Sequence, residues 1–124
     1  MFGFDNFMFP SLSGWSSMAN IYEDSEHYVI ELRATGLKKE DIEITFGRGG
    51  ESIIIKSKPK DERKNTSYTR REFWRDRIDR EYVLPEGIDY DKISAKTEDG
   101  ILYIYIPKKK REYKPESRKF IEVM

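Results

Sequence analysis

The sequence contains no cysteine and a single histidine, His27. The missing thiols exclude disulfide bonds, thiol catalysis and thiolate metal sites, and one imidazole excludes a metal site built from several histidines. A chain without cysteine is typical of a reducing compartment, so we expect a cytoplasmic protein. His27 falls on the solvent-facing phase of a predicted strand, where an ordinary surface role is the simplest interpretation.

Long apolar runs and an excess of charge of one sign are also missing. No segment approaches the length needed to span a membrane, and the N-terminus lacks the basic start and small-residue cleavage site of a signal peptide. The 23 basic and 23 acidic residues cancel, which weighs against a nucleic-acid partner. The high content of Lys, Glu and Ile without Cys favours a heat-adapted (thermophile) source.

No group of residues has the spacing of a catalytic or ligand-binding site. Glu23, Asp24 and Glu26 lack the spacing of a calcium loop. The glycine-rich stretch 47–50 lacks the Lys-Ser/Thr pair of a phosphate-binding loop. Carboxylates are abundant, but none lies in an apolar setting that tunes it for acid–base chemistry. We therefore expect no enzyme activity, no cofactor and no metal.

Alternating apolar and polar residues dominate the middle of the chain and predict β-strands joined by Gly and Pro turns. Glu98-Asp99-Gly100 is predicted to be a three-residue hairpin loop. No convincing helix separates the strands, so the pattern predicts an all-β, antiparallel sandwich. The predicted strands lie at 28–33, 42–46, 53–55, 78–84, 93–97 and 101–106.

The composition divides the chain into three regions: 1–18, 19–107 and 108–124. We expect a flexible N-terminal region rich in aromatics and Met, then one domain, then a charged tail. The tail ends on Ile121-Glu122-Val123, an alternating apolar pair that the polar tail cannot bury by itself. This ending indicates a segment that docks elsewhere in the protein or on another subunit. The apolar residues of the first region are Phe2, Phe4, Phe7, Met8, Phe9, Leu12 and Trp15.

Four motifs in this order resemble the small heat shock proteins, which are built on the α-crystallin domain, and in particular their archaeal and other microbial members. Ala95–Leu102 (AKTEDGIL) is similar to A-x-x-x-[N/D]-G-[V/I]-L, and Gly36–Ile42 (GLKKEDI) to G-[V/F/L]-K-K-E-D-I. Arg80–Pro85 (REYVLP) is similar to R-x-[F/Y]-x-L-P, and Ile121–Val123 to the C-terminal I-x-[I/V] motif. The resemblance covers residues 19–123 and implies an immunoglobulin-like sandwich.

Three positions depart from the family pattern. Thr35 stands where proline usually precedes Gly36, and Asp76 and Ile78 replace a glycine and a phenylalanine that often precede the R-x-[F/Y] stretch. We expect these changes to alter a turn and a side-chain volume without changing the fold.

The resemblance implies an ATP-independent holdase, which binds partly unfolded proteins and works as a large homo-oligomer built from dimers. The tail motif, Ile121, Glu122 and Val123, is expected to enter a groove on another subunit. The residues expected to line this groove are Ile42, Ile44, Ile93 and Ala95; the other interpretation is that they fill the sandwich core.

The dimer is expected to form by exchange of a strand from the long polar loop at 59–77, near residues 66–72. The resemblance places the interface at Tyr68, Thr69, Arg70 and Arg80, with Arg80 in ion pairs; the alternative for Arg80 is a solvated strand residue. The apolar N-terminal residues either pack inside the oligomer or capture clients, and both roles stay open.

Three other classes of protein remain as alternatives. A CS-domain co-chaperone shares the sandwich but predicts a monomer without a functional tail motif. A nucleic-acid binder using the basic run 108–111 predicts strong salt dependence, although the zero net charge and the interspersed acids oppose it. A hydrolase is opposed by the missing His, Cys and metal motifs.

Overall fold

The computed structural model describes residues 18–58 and 66–110, and all that follows about structure concerns these two ranges. The short segments of 3-10 helix at Lys39–Asp41, Arg48–Gly50 and Tyr90–Lys92 are the only helical turns within them. The seven strands are β1 (Ala19–Glu23), β2 (His27–Arg33), β3 (Ile42–Phe46), β4 (Ser52–Ser57), β5 (Asp79–Val83), β6 (Ser94–Glu98) and β7 (Ile101–Pro107).

The strands form two antiparallel sheets. One sheet has the order β1-β2-β7-β6 and the other has the order β3-β4-β5. Hairpins connect β1 to β2, β3 to β4 and β6 to β7. The predicted all-β antiparallel sandwich is confirmed.

Branched aliphatic side chains on the inner faces of both sheets fill the core. In β2, Ile30 and Leu32 are fully buried, as the alternation predicts. In the Ile53-Ile54-Ile55 run, Ile53 and Ile55 are buried whereas Ile54 is only half-buried, because successive side chains of a strand point to opposite faces. The core residues are Ile30, Leu32, Ala34, Ile53, Ile55, Ile78, Tyr82, Leu84, Ile88, Leu102, Ile104 and Ile106.

The hairpin between β6 and β7 is tighter than the sequence predicts. Glu98 pairs directly with Ile101, so the loop has two residues and the predicted three-residue loop is wrong. Asp99 and Gly100 both have positive φ, 52° and 78°, which is the requirement of a type I′ turn. This turn matches the twist of the strands and fixes the register of β6.

Candidate functional site

A groove opens between β3 and β6, one edge strand from each sheet. It contains a cavity of about 180 Å³ with walls that are mostly apolar. Each of these strands pairs on one side only within the described residues. The lining residues are Lys39, Ile42, Ile44, Ala95, Lys96, Thr97 and Leu102.

The register of β3 directs its unpaired backbone groups toward this opening. The amide of Lys58 donates to the carbonyl oxygen of Asp41 at 2.6 Å, which identifies a hydrogen-bonded pair between the two strands. In an antiparallel ladder these pairs alternate with pairs that share no hydrogen bond. Ile42 and Ile44 belong to the second kind, so their N–H and C=O groups point away from β4 while their side chains line the groove. The Ile42 amide already donates to the Lys39 carbonyl oxygen, so the groups of these two residues left for a partner are the Ile42 C=O and the N–H and C=O of Ile44.

On the opposite wall, β6 also directs unpaired backbone groups toward the groove. The residues flanking a two-residue hairpin loop, here Glu98 and Ile101, form a hydrogen-bonded pair. Alternation then leaves the backbone groups of Ala95 and Thr97 pointing away from β7. An extended peptide lying in the groove therefore meets apolar side chains below it and free backbone donors and acceptors on both sides.

The structure brings three of the four predicted groove residues together: Ile42, Ile44 and Ala95 line the cavity. Ile93 precedes β6 and is not among the lining residues. Ile42, Ile44 and Ile93 all pack against the core, so for Ile42 and Ile44 the two interpretations overlap. Ala95 and Thr97 are exposed because the groove in front of them is open, and the remaining residues of β6 are exposed as well. Thr97 is a lining residue that was not predicted, although it lies on the same face of the strand as Ala95.

Two lysines flank the groove, and no carboxylate is among its lining residues. The Lys96 ammonium lies 3.2 Å from the Glu98 carboxylate and 5.5 Å from the centre of the Tyr103 ring. The hydrogen bond to Glu98 raises the pKa of Lys96 above its ordinary value. The exposed ammonium of Lys39 has no ion-pair partner among residues 18–58 and 66–110.

A second candidate surface lies on the segment 66–74, which contains most of the predicted dimer interface. Tyr68, Phe73 and Trp74 are exposed, with Phe73 at 80% of its full accessibility. The Arg71 guanidinium lies over the rings of Tyr68 and Trp74, at 4.5 and 4.9 Å from their centres. Thr69 and Arg70 are exposed beside this cluster. The segment forms no strand pairing within the described chain, and its exchange between subunits stays a prediction.

Two of the residues that depart from the family pattern fix the end of this segment. The Thr35 amide donates to the Asp76 carboxylate at 2.7 Å, and the Asp76 amide donates back to the Thr35 carbonyl oxygen at 2.8 Å. The Arg33 guanidinium donates to the same carboxylate at 3.0 Å. A proline at position 35 has no N–H to donate and a glycine at 76 has no carboxylate, so the two departures depend on each other.

The neighbouring residues add a second anchor. Arg75 donates to the carbonyl oxygen of Lys58 at 3.0 Å and lies 3.5 Å from the Asp41 carboxylate. A Cβ on Gly36 would lie 2.6 Å from the Cβ of Arg75, and the φ of Gly36 is +81°. The close approach of Arg75 therefore requires glycine at position 36.

Arg80 lies on the inward-facing side of β5. It pairs with Ile55 and precedes the buried Tyr82 by two residues. Its side chain is half-buried, and the Nε atom is removed from solvent. Arg80 is therefore not an ordinary solvated strand residue. Its predicted part in ion pairs at the dimer interface stays a prediction.

The tail leaves the domain from a fixed point. The Lys108 ammonium donates to the Glu23 carboxylate and to the Asp24 carbonyl oxygen, both at 2.7 Å. The hydrogen bond to Glu23 raises the pKa of Lys108. Lys109 donates its amide to the Gly87 carbonyl oxygen at 2.7 Å.

The tail motif and the apolar N-terminal residues lie outside the described residues. These residues are Phe2, Phe4, Phe7, Met8, Phe9, Leu12, Trp15, Ile121, Glu122 and Val123. Between 18 and 110, apart from 59–65, no group of His, Cys, Asp and Glu is arranged to hold a metal ion. No helix in the same ranges is long and apolar enough to cross a membrane.

Known proteins resemble this chain in both sequence and fold. The chain is 35% identical over 92 residues to small heat shock protein C2 of Rickettsia felis, an alignment that covers 74% of this chain and 60% of that protein. It is 26% identical over 122 residues to a probable Hsp20 family chaperone of Onion yellows phytoplasma, covering 97% and 88% of the two chains.

A solved small heat-shock protein from Xylella fastidiosa superimposes with a TM-score of 0.69 at 25% identity, covering 90% of this chain and 99% of the other. The model of the Hsp20/alpha crystallin family matches residues 20–124. The chain therefore belongs to the Hsp20/alpha crystallin family, the small heat shock proteins.

Proposed function

We propose that this protein is an ATP-independent chaperone that holds partly unfolded proteins and works as a homo-oligomer assembled from dimers. The observation that carries the proposal is the open groove between β3 and β6, with its apolar floor and unpaired backbone edges. Such a groove binds an extended segment by adding a strand to a sheet edge. The names of the relatives support the chaperone role, since the phytoplasma protein is named a probable Hsp20 family chaperone.

The segment proposed to fill the groove is the tail motif of a neighbouring subunit. Full burial of Ile121 and Val123 would contribute about 1.5–3 kcal/mol for each side chain, part of which is offset by ordering the tail. A cavity of about 150 Å³ is known to hold a benzene molecule, so the 180 Å³ here suits a branched aliphatic side chain. Each contact is weak, and many contacts in one assembly stabilise it through effective concentration.

The dimer is proposed to form through the exposed segment 66–74. Its cluster of Tyr68, Trp74 and Arg71 has the residue types that dominate protein interfaces. The anchors at Asp76 and Arg75 hold one end of the segment against the domain while its aromatic part projects outward. Exchange with an edge strand of the partner would also cover a free sheet edge.

Size-exclusion chromatography with light scattering tests the assembly. The variant Ile121→Ala/Val123→Ala should fall from a large particle to dimers, because it removes the apolar pair. Ala95→Trp should do the same by filling the groove. Ser94→Trp is the matched control, since Ser94 is exposed on the same strand in the opposite phase. An unchanged large particle for the first two variants excludes tail docking, and a monomeric wild type favours the co-chaperone alternative.

Suppression of the aggregation of a heated client protein without nucleotide tests the holdase activity. We expect protection at about stoichiometric ratios of chaperone to client, because binding of unfolded chains by apolar surface needs no hydrolysis. The absence of protection at that ratio, with or without ATP, would contradict the proposed activity.

A further inference from the structure

We propose that the groove selects its occupant by charge: Lys39 pairs with the carboxylate of Glu122, which lies between the two apolar residues of a neighbouring subunit's tail. The proposal rests on the proposed docking of the tail. It adds that the middle residue of the motif determines which segments the groove accepts.

The first observation is the charge of the groove. Its lining contains Lys39 and Lys96 and no aspartate or glutamate. Lys96 is already held by Glu98 at 3.2 Å, whereas the ammonium of Lys39 has no ion-pair partner in the part of the chain that the structure describes. The groove therefore has one available cation at the end where β3 begins.

The second observation is the order of residues in the tail. In an extended segment, successive side chains point in opposite directions. When Ile121 and Val123 point into the apolar floor, Glu122 between them points out toward the rim. Lys39 immediately precedes β3 in the 3-10 segment Lys39–Asp41, is exposed, and belongs to the lining of the groove. A flexible lysine stem at this position can follow the carboxylate along the rim.

The two observations together define the preferred occupant. An aliphatic–acidic–aliphatic segment satisfies both the apolar floor and the free ammonium. A lysine or arginine in the middle position meets two like charges and is disfavoured. The charge requirement thus favours a second copy of this chain over apolar segments that carry a basic residue at this position.

A charge-swap experiment on the full-length protein tests the pairing. Subunit exchange between labelled and unlabelled protein is measured by native mass spectrometry for wild type, Glu122→Lys, Lys39→Glu and the double variant. Each single reversal should accelerate exchange about threefold to tenfold, as expected for losing a rim ion pair and creating like charges. The double variant should restore exchange toward the wild-type rate.

Two controls make the result specific. Arg48→Glu changes the net charge as much as Lys39→Glu, at an exposed residue of the β3–β4 loop that does not line the groove; we expect the wild-type rate. In about 1 M salt, where the screening length is about 3 Å, the differences between the variants should shrink.

The outcomes separate this proposal from the one on which it rests. If Ile121→Ala/Val123→Ala dissociates the particle but both charge reversals exchange at the wild-type rate, the pairing is excluded and tail docking stands. If the reversals accelerate exchange but the double variant shows no recovery, Lys39 is not the partner of Glu122. If the apolar double variant leaves the particle intact, tail docking fails and the pairing fails with it.

Discussion

Thr35 and Asp76 stand where the family pattern usually has proline and glycine, and the structure joins them by two hydrogen bonds. The Asp76 side chain is only 8% exposed, so losing the Thr35 amide donor would leave a buried carboxylate with Arg33 alone. Each departure from the pattern therefore stabilises the other, and the pair behaves as one unit.

We expect a double-mutant cycle to measure this dependence. Thr35→Pro and Asp76→Gly should each lower the free energy of unfolding by about 1–3 kcal/mol, because the first removes a donor to a buried carboxylate and the second removes the acceptor of the Thr35 amide and of Arg33. The double variant should lose less than the sum, with a coupling of about 0.5–3 kcal/mol. Urea unfolding at one protomer concentration measures all three variants. Additive losses would show that the two residues act independently.

The control for this cycle is Arg33→Ala. The Arg33 side chain is 60% exposed although it contacts the same carboxylate at 3.0 Å. An exposed partner of this kind contributes at most about 1 kcal/mol. A larger loss for Arg33→Ala than for Thr35→Pro would assign the anchor to the ion pair instead of the backbone amide.

A substitution at Tyr82 should keep or raise stability, in contrast to the losses expected at Thr35 and Asp76. Its side chain is fully buried, and its hydroxyl has no hydrogen-bond partner among the described residues. A buried hydroxyl without a partner costs about 1–3 kcal/mol, so Tyr82→Phe should leave stability unchanged or raise it by about 1 kcal/mol. Urea unfolding measures this change, with Tyr103→Phe on the outer face as the control. A clear loss for Tyr82→Phe would mean that the hydroxyl has a partner in the assembled protein.

Tyr82 also makes the stability of the folded protein depend on pH in the alkaline range. Burial raises the pKa of Tyr82 above 10.0, so the unfolded chain loses this proton at a lower pH than the folded chain. The contribution of Tyr82 to stability is therefore complete below about pH 10 and is lost as the pH rises above it. Tyr82→Phe should lose less stability than wild type between about pH 9 and pH 11. Parallel losses in the two proteins would contradict this assignment.

Sequence reasoning identifies Thr35 and Asp76 only as departures from a pattern. The two residues are 41 positions apart, and no local periodicity indicates that loops so distant in sequence meet. The core residues are different, because alternation alone places Ile30 and Leu32 on the buried face. Local patterns therefore predict which face of a strand is buried, whereas contacts between loops require the three-dimensional arrangement.

The β6–β7 hairpin depends on two residues with positive φ. Gly100→Ala should cost about 1–2 kcal/mol, since a side chain at φ 78° is strained. The nearest atom to the new Cβ would be 3.6 Å away, so crowding adds little. Asp99→Asn should be neutral or slightly stabilising, because Asn-Gly is the preferred type I′ pair. Thermal unfolding measures both, and equal losses would argue against this turn assignment.

The groove shows how far strand patterns predict a site. The alternation of Ile93, Ala95 and Thr97 suggests one continuous strand, but β6 begins at Ser94. Ile93 lies in the connection after the Tyr90–Lys92 turn and packs on the core. A pattern of apolar residues cannot distinguish a core wall from a groove floor, because both are apolar. The distinction depends on which strands lie at the sheet edges, and this order arises from non-local pairing.

The groove and the tail motif that we propose to fill it belong to the same chain. The roughly fourteen residues from Pro107 to Ile121 span at most about 50 Å when extended, and this reach allows docking on a neighbouring subunit. The first residue of the tail, Lys108, is held by hydrogen bonds to Glu23 and to the β1–β2 turn. The direction in which the tail leaves the domain is therefore fixed by the fold.

Mixing two defective variants tests whether docking occurs between subunits. Ala95→Trp keeps the tail but fills the groove, and Ile121→Ala/Val123→Ala keeps the groove but loses the apolar pair. Each alone should give dimers, whereas an equimolar mixture should give particles larger than either, since the intact tail of one variant fits the open groove of the other. Light scattering of the mixture measures this recovery. Docking of each tail in the groove of its own subunit predicts no recovery, because neither variant then has a complete contact.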